Sequence, residues 1–368
     1  MKLHCSRCQA AYPPDTHHWT CTCGGPFLLE GTPPFRQDLI RPNLFTLWRY
    51  RAMLPIERDE SIVSLGEGFT PMVETEIYGL PILCKLEYLA PTGSFKDRGT
   101  TVLVSKLREM GINKVVEDSS GNAGASLAAY CARAGIQAEI YTPAHASPAK
   151  LAQLGIYGAK LTTVNGPRER AAEAVAEAAR HTYYASHYWN PFGLEGLKTF
   201  AYEVCEQLGW RAPHNIIFPV GHGTLLLGTY RGFRELLEVG LVNRPPRLIA
   251  AQISPCAPIQ AAFVQNLKSA PAIETSSTVA EGISIAHPVR SAEVLEAIRE
   301  TGGTAITVGD EEALDTRDRL ARKGLYVEPT SAVAVAALRQ LHDLIEASQI
   351  TVIPLTGSGL KSHTHQPS

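Results

Sequence analysis

Apolar residues along this 368-residue chain change rhythm repeatedly, short β-branched runs alternating with stretches in which they recur every third or fourth position. The runs Lys114–Glu117, Ala138–Tyr141, Lys160–Val164, Asn215–Val220, Leu248–Ile253, Ala305–Val308 and Ile350–Leu355 read as strands. Between them, Leu103, Leu107 and Met110, and the span from Ala171 to Ala179, have helical spacing. Several helical stretches close on glycine, at Gly111, Gly135, Gly155, Gly209, Gly240 and Gly324, a residue that often follows a helix C-terminus. The alternation predicts an α/β protein with mainly parallel sheets, whose ligands sit at the carboxyl ends of strands. The loops after Glu117, Val220 and Leu355 are therefore the first places to look for chemistry.

The front of the chain has a different character. Gly31-Thr-Pro-Pro34 breaks any regular element, and the Pro- and Arg-rich stretch to Pro55 reads as a linker or extended arm. With 45% hydrophobic and 19% charged residues, the chain can bury substantial cores and is long enough for two domains and an appendage. A formal net charge of −2 lacks the basic footprint of a nucleic-acid or membrane-surface protein. The segment Met1–Cys8 has no apolar signal core and no stretch reaches bilayer-spanning length, so a cytoplasmic location is expected. The expected partners are a small molecule and a second copy, as a homodimer.

Three loops carry candidate chemistry. Pro91-Thr-Gly-Ser-Phe-Lys-Asp-Arg-Gly99 sets Lys96 among small and polar residues. Lysine is nucleophilic once deprotonated and its pKa falls readily on desolvation, whereas Arg98 stays protonated. Read alone, the segment is equally a solvated turn. Asp118-Ser-Ser-Gly-Asn-Ala-Gly-Ala-Ser126 follows a predicted strand and opens an Ala-rich helix, the arrangement of an anion site of carboxylate size. Phe218-Pro-Val-Gly-His-Gly-Thr-Leu-Leu-Leu-Gly228 repeats that placement with two glycines that let backbone approach a phosphate, and no Gly-Lys-Ser/Thr of a P-loop follows. His222 within it faces the phosphate or substrate side, or fills the turn.

In this order, and with Ser64-Leu-Gly-Glu-Gly-Phe-Thr-Pro71, Glu281–Arg290, Tyr326–Ala336 and Ile353-Pro-Leu-Thr-Gly-Ser-Gly-Leu-Lys361, the segments resemble the threonine synthase-like members of the pyridoxal-phosphate-dependent superfamily of tryptophan synthase beta-like fold (fold type II). The resemblance implies two three-layer α/β domains. Residues 31–112 and 194–368 would form the larger, cofactor-binding domain and 113–193 a smaller mobile one, after a zinc ribbon-like knuckle at 1–30. It implies that Lys96 forms the imine with pyridoxal 5'-phosphate and later carries protons as a free amine. Asn122 would touch the cofactor's ring hydroxyl, and Gly221, His222, Gly223, Thr224 and Leu225 its phosphate. Thr356 would hydrogen-bond the pyridine nitrogen, a neutral partner that favours elimination and replacement over transamination. Ser119, Ser120 and Ala123 would face the substrate carboxylate. Glu328 lies near the cofactor ring or is simply a helix N-terminal carboxylate.

Of eight cysteines, Cys84, Cys131, Cys205 and Cys256 are scattered among apolar residues and read as small buried hydrophobes. Cys5-x-x-Cys8 and Cys21-x-Cys23-Gly-Gly resemble the structural zinc ribbon ahead of many threonine synthase-like chains, with a second knuckle one residue short. A degenerate, metal-free knuckle is the alternative, and His17 and His18 lie between the pairs.

His187-Tyr-Trp-Asn-Pro-Phe-Gly-Leu-Glu-Gly-Leu-Lys-Thr199 resembles the stretch that holds the phosphate of O-phosphohomoserine. The Asn, Ser and Arg of the family are here His187, Tyr188 and Gly193, and loss of a bidentate guanidinium from a dianion site costs about 2–5 kcal/mol. The expected activity is a pyridoxal-phosphate-dependent lyase making threonine and phosphate from O-phosphohomoserine. The alternatives are β-elimination or β-replacement, as in threonine/serine dehydratases or cysteate- and cysteine-forming synthases, and a non-catalytic cofactor-binding regulator.

Overall fold

A computed structural model describes residues 1–144, 148–166 and 168–362. The chain opens with three short antiparallel strands, β1 (Lys2–Cys5), β2 (Ala11–Tyr12) and β3 (Phe27–Glu30), in the order β2-β1-β3. The stretch expected to be a linker is instead packed: Leu47, Tyr50 and Met53 are fully buried, and Leu47, Trp48, Leu54 and Ile56 cluster with Val102. Its prolines and arginines mask an apolar set, much of which the 3-10 helix Leu47–Met53 turns inward.

The remaining elements are β4 (Met72–Ile77), β5 (Leu80–Lys85), α1 (Lys96–Glu109), β6 (Lys114–Glu117), α2 (Asn122–Ala134), β7 (Gln137–Pro143), α3 (Pro148–Ile156), β8 (Lys160–Val164), α4 (Arg168–Ala178), β9 (Tyr183–Tyr184), α5 (Pro191–Gln207), β10 (Asn215–Pro219), α6 (Thr224–Glu238), β11 (Arg247–Ile253), α7 (Pro258–Val264), α8 (Ser291–Glu300), β12 (Ala305–Val308), α9 (Asp310–Arg322), α10 (Pro329–Ala336) and β13 (Thr351–Pro354). Every strand read from the sequence is present. The hairpin β4–β5 has no clear mark in the sequence, because Pro81 interrupts its second strand and its turn is Tyr78-Gly79, both at positive φ. Gly155, expected to end a helix, lies within α3; the left-handed residue that follows is Gly158, at φ 81°.

Contacts group the chain into two compact units. The first comprises Met1–Gly68, Ala90–Thr92 and Lys96–Leu197. Its four-stranded sheet, β8-β7-β6-β9, is parallel throughout. Leu103, Val104 and Leu107 of α1 pack with Ala125, Leu127 and Ala128 of α2, and Leu3, Phe27 and Leu29 of the N-terminal strands join the same core. The second unit comprises Phe69–Leu89, Gly93–Phe95 and Lys198–Ser368. Its sheet runs β12-β11-β10-β13-β5-β4, parallel except for the β4–β5 pair. All eight residues of α10 are buried. Its Ala, Ser and Val side chains let a helix pack closely into the interior, where its apolar positions join the strand residues Ile217, Ile249 and Ile353. Cys84, Cys131, Cys205 and Cys256 are fully buried, as expected.

Candidate functional site

Lys96 is the first residue of α1. The next residue, Asp97, is fully buried and accepts hydrogen bonds from Thr92 N (2.7 Å), Thr92 Oγ1 (2.6 Å) and Ser126 Oγ (2.6 Å). One carboxylate thus fixes the turn before Lys96 against α2, the helix that Asn122 opens. Burial pushes the Asp97 carboxyl up to about 6 despite those donors.

The loop after β6 places Ser119, Ser120 and Asn122 at the N-terminal end of α2, with Ser119 and Ala123 buried and Ser120 and Asn122 half-buried. Donors at such an end favour an anion the size of a carboxylate. Just before them stand two buried carboxylates that the sequence pattern does not single out. Glu117 Oε1 is 2.9 Å from His187 Nδ1. Asp118 accepts from Tyr184 OH (2.7 Å) and Tyr188 OH (3.1 Å), and the two phenols are 3.1 Å apart. The arrangement follows from the sheet: β9 lies parallel beside β6, with Val116 opposite Tyr184, so residues just beyond both carboxyl ends meet. Burial and the neighbouring carboxylates hold the Tyr184 and Tyr188 phenols well above their ordinary value. His187 and Tyr188 are therefore brought together with acids, an arrangement that periodicity cannot reveal because Glu117 and Asp118 read as the polar end of a strand.

In the second unit, the loop after β10 leads into the 15-residue helix α6. Gly223 has φ +77°, and a Cβ there would overlap Val294, while one on Gly221 would meet Ile283 Cα and Ile285 Cγ1, each at 3.0 Å. Gly223 therefore has no room for a side chain and Gly221 little, which keeps the backbone itself at the surface of the turn where α6 begins, with Thr224 and Leu225 buried behind it. The donor set, free of carboxylates on the loop itself, suits a phosphate. Gln252, fully buried, supports the loop from β11: its Nε2 donates to Val220 O (3.0 Å) and its Oε1 accepts from Ile259 N (2.8 Å) and Gln260 N (2.9 Å). His222 is half-buried on this loop.

Past β13, Thr356 is buried, its Oγ1 3.0 Å from Ser331 Oγ, and its carbonyl accepts from Phe95 N (3.0 Å). Glu328 is the residue before α10. Its N–H donates to Gly357 O (3.0 Å), and its carboxylate lies against Gly357, where any Cβ would overlap it. Glu328 thus stands at the N-terminal end of α10, beside Gly357.

At the N-terminus, the sulfurs of Cys5, Cys8, Cys21 and Cys23 lie within 4.8 Å of one another. Tyr12 OH donates to Cys21 Sγ (3.3 Å). The Cys21 thiol is lowered to about 6, first by the Cys23 backbone N–H and then by Tyr12, while the Cys5 thiol pushes Cys23 up to about 12. Four such sulfurs are a donor set for a tetrahedral ion. His17 lies 6.0 Å, ring to ring, from Tyr183, and neither His17 nor His18 belongs to the sulfur group.

Solved structures share this fold. A fungal L-serine ammonia-lyase from Rhizomucor miehei superposes with a TM-score of 0.70 at 22% identity, covering 78% of this chain and 93% of that one. The serine racemase of maize gives 0.68 at 21% identity, covering 79% and 88%. The class is therefore the fold type II α/β architecture, with parallel sheets and helix-opening turns at their carboxyl ends. The family model for pyridoxal-phosphate dependent enzymes matches residues 63–357. Threonine synthase of Methanocaldococcus jannaschii is 37% identical over 98% of this chain and 93% of its own length, and that of Methanosarcina acetivorans 38% identical over 98% and 92%. The chain belongs to the pyridoxal-phosphate dependent enzyme family, as a threonine synthase-like lyase. The carboxylate-free glycine loop before α6 and the hydroxyl pair at Thr356 fit the phosphate and ring of that cofactor. Among the described residues no helix is long and apolar enough to cross a membrane.

Proposed function

We propose that this lyase eliminates or replaces a β-substituent of an amino acid that carries no phosphate ester. The observation that carries this reading is the pair of buried carboxylates, Glu117 and Asp118, engaging His187 and Tyr188, which stand where the resemblance would have phosphate-holding side chains. Gly193 offers no guanidinium to offset them. A phosphate dianion brought beside two carboxylates is repelled in a medium that screens poorly.

In this reading Gly221 to Leu225 bind the cofactor phosphate through the N–H groups that precede α6. Asn122 and Thr356 orient its ring, with Glu328 alongside. Ser119, Ser120 and Ala123 would hold the substrate carboxylate, and Lys96 would act on the proton at its Cα. When bound, pyridoxal phosphate disperses the electron pair left behind as that proton departs. Lys96 Nζ takes the proton and can return one to the departing group or the product. Cys5, Cys8, Cys21 and Cys23 hold one structural zinc ion, and the active form is a cytoplasmic homodimer. Residues 113–193 form the smaller domain of the enzyme.

A second reading, formation of threonine and phosphate from O-phosphohomoserine, is favoured by the whole-length similarity to threonine synthases. One assay separates the two. Purified protein loaded with cofactor should release ammonia and 2-oxo acid from serine or threonine, or exchange their β-substituent with a thiol or sulfite, without releasing phosphate from O-phosphohomoserine. Phosphate release with threonine appearing would replace the first reading by the second.

A further inference from the structure

Ser94 is fully buried, and its Oγ has no hydrogen-bond partner among the described residues. Buried hydroxyls are ordinarily satisfied, so an orphan in a well-packed region calls for a ligand group. Its surroundings say which ligand. Ser94 pairs with Gly357 in a short antiparallel bridge, flanked by Phe95 N to Thr356 O and Ser358 N to Gly93 O, each 3.0 Å. Residues directly opposite in an antiparallel pair project from the same face. On Gly357 that face is the one a Cβ would share with the Glu328 carboxylate. The Ser94 hydroxyl therefore projects from the same face of this ladder as the Glu328 carboxylate, on the segment that leads directly into Lys96.

We propose that Ser94 is a further cofactor-binding residue whose Oγ hydrogen-bonds the bound pyridoxal phosphate. The hydroxyl is kept unsatisfied in the protein alone and gains its partner on loading. This assignment depends on the cofactor only, not on which amino acid is the substrate, so it stands or falls separately from the reaction proposed above.

The test uses full-length protein, stripped of cofactor and reloaded by titration with pyridoxal phosphate. Ser94→Ala should weaken cofactor binding about three- to tenfold, the worth of one neutral hydrogen bond, and move the absorbance maximum of the bound cofactor. Without cofactor the same variant should melt at or above the wild-type temperature, because it removes an unsatisfied group. Ser94→Cys fills the same space with a weak donor and should fail to restore affinity. An unchanged dissociation constant and absorbance maximum in Ser94→Ala would overturn the assignment. So would a lowered melting temperature of the cofactor-free variant, which would reveal a structural partner, or full restoration by cysteine, which would reduce Ser94 to packing.

Discussion

Two turns in this molecule use one backbone device and furnish it oppositely. After β6 and after β10, a parallel strand ends, a short glycine-containing loop follows, and a helix begins. The loop before α6 has a left-handed Gly223 packed against Val294 and no carboxylate among Gly221 to Leu225. The loop before α2 follows Glu117 and Asp118, and Gly121 there has φ −102° with nothing nearer than 4.0 Å to a Cβ. The first is shaped by backbone alone. The second is tuned by flanking side chains, and flanking side chains are where substrate preference can change without changing the fold.

The largest expected effect removes the residue on which every reading of the site depends. Lys96→Ala should abolish the absorbance band of the lysine-linked cofactor and lower turnover by about a thousandfold or more, as loss of a combined nucleophile and base does; a variant that keeps both would end the lyase reading. Next comes the contrast between the glycines. Gly223→Ala should weaken cofactor binding about a hundredfold, because it brings both strain at positive φ and overlap with Val294, each on the order of 1–3 kcal/mol. Gly121→Ala should cost less than about tenfold in the same titration, and equal effects would erase the distinction between the turns.

A smaller effect sharpens the role of the acids. Gly193→Arg combined with Glu117→Gln should improve O-phosphohomoserine as an inhibitor or substrate by about tenfold or more, since it adds a charge-assisted partner and removes a repelling one. Turnover of unphosphorylated substrates should not rise with it.

The smallest concerns pH. Asp97 is raised by burial to about 6 from an ordinary 3.8, so the folded state binds its proton more tightly than the unfolded chain does. Its contribution to stability is present in full below about pH 4 and lost as pH rises through about 6, by up to about 3 kcal/mol. The free energy of denaturant unfolding should fall between those pH values in the wild type and flatten in Asp97→Asn.

Much of this was legible in the chain. The β-branched runs place strand ends at Glu117, Val220 and Leu355, and the structure ends them at Glu117, Pro219 and Pro354; the lysine, glycine and cysteine segments stand out by residue type and order. What escaped were groups whose meaning is tertiary. Glu117 and Asp118 look like a strand's polar end until β9 brings Tyr184, His187 and Tyr188 beside them. Gln252 sits mid-run in an apolar strand and gives no local sign that it props a loop. Ser94 is one small residue of a turn until its pairing with Gly357 fixes its face. The segment 37–61 hides its buried residues because turns of 3-10 helix carry neither a strand's nor a helix's period.

The central claim, that acids beside the loop opening α2 turn this chain away from phosphate esters, meets its most direct test in a competition of substrates. Wild-type, cofactor-loaded protein is assayed in parallel with O-phosphohomoserine, serine and threonine, measuring phosphate, ammonia and 2-oxo acid. The account predicts ammonia and 2-oxo acid from an unphosphorylated amino acid, or exchange of its β-substituent, with no phosphate released. A kcat/KM for threonine formation from O-phosphohomoserine above that for any unphosphorylated amino acid would contradict it.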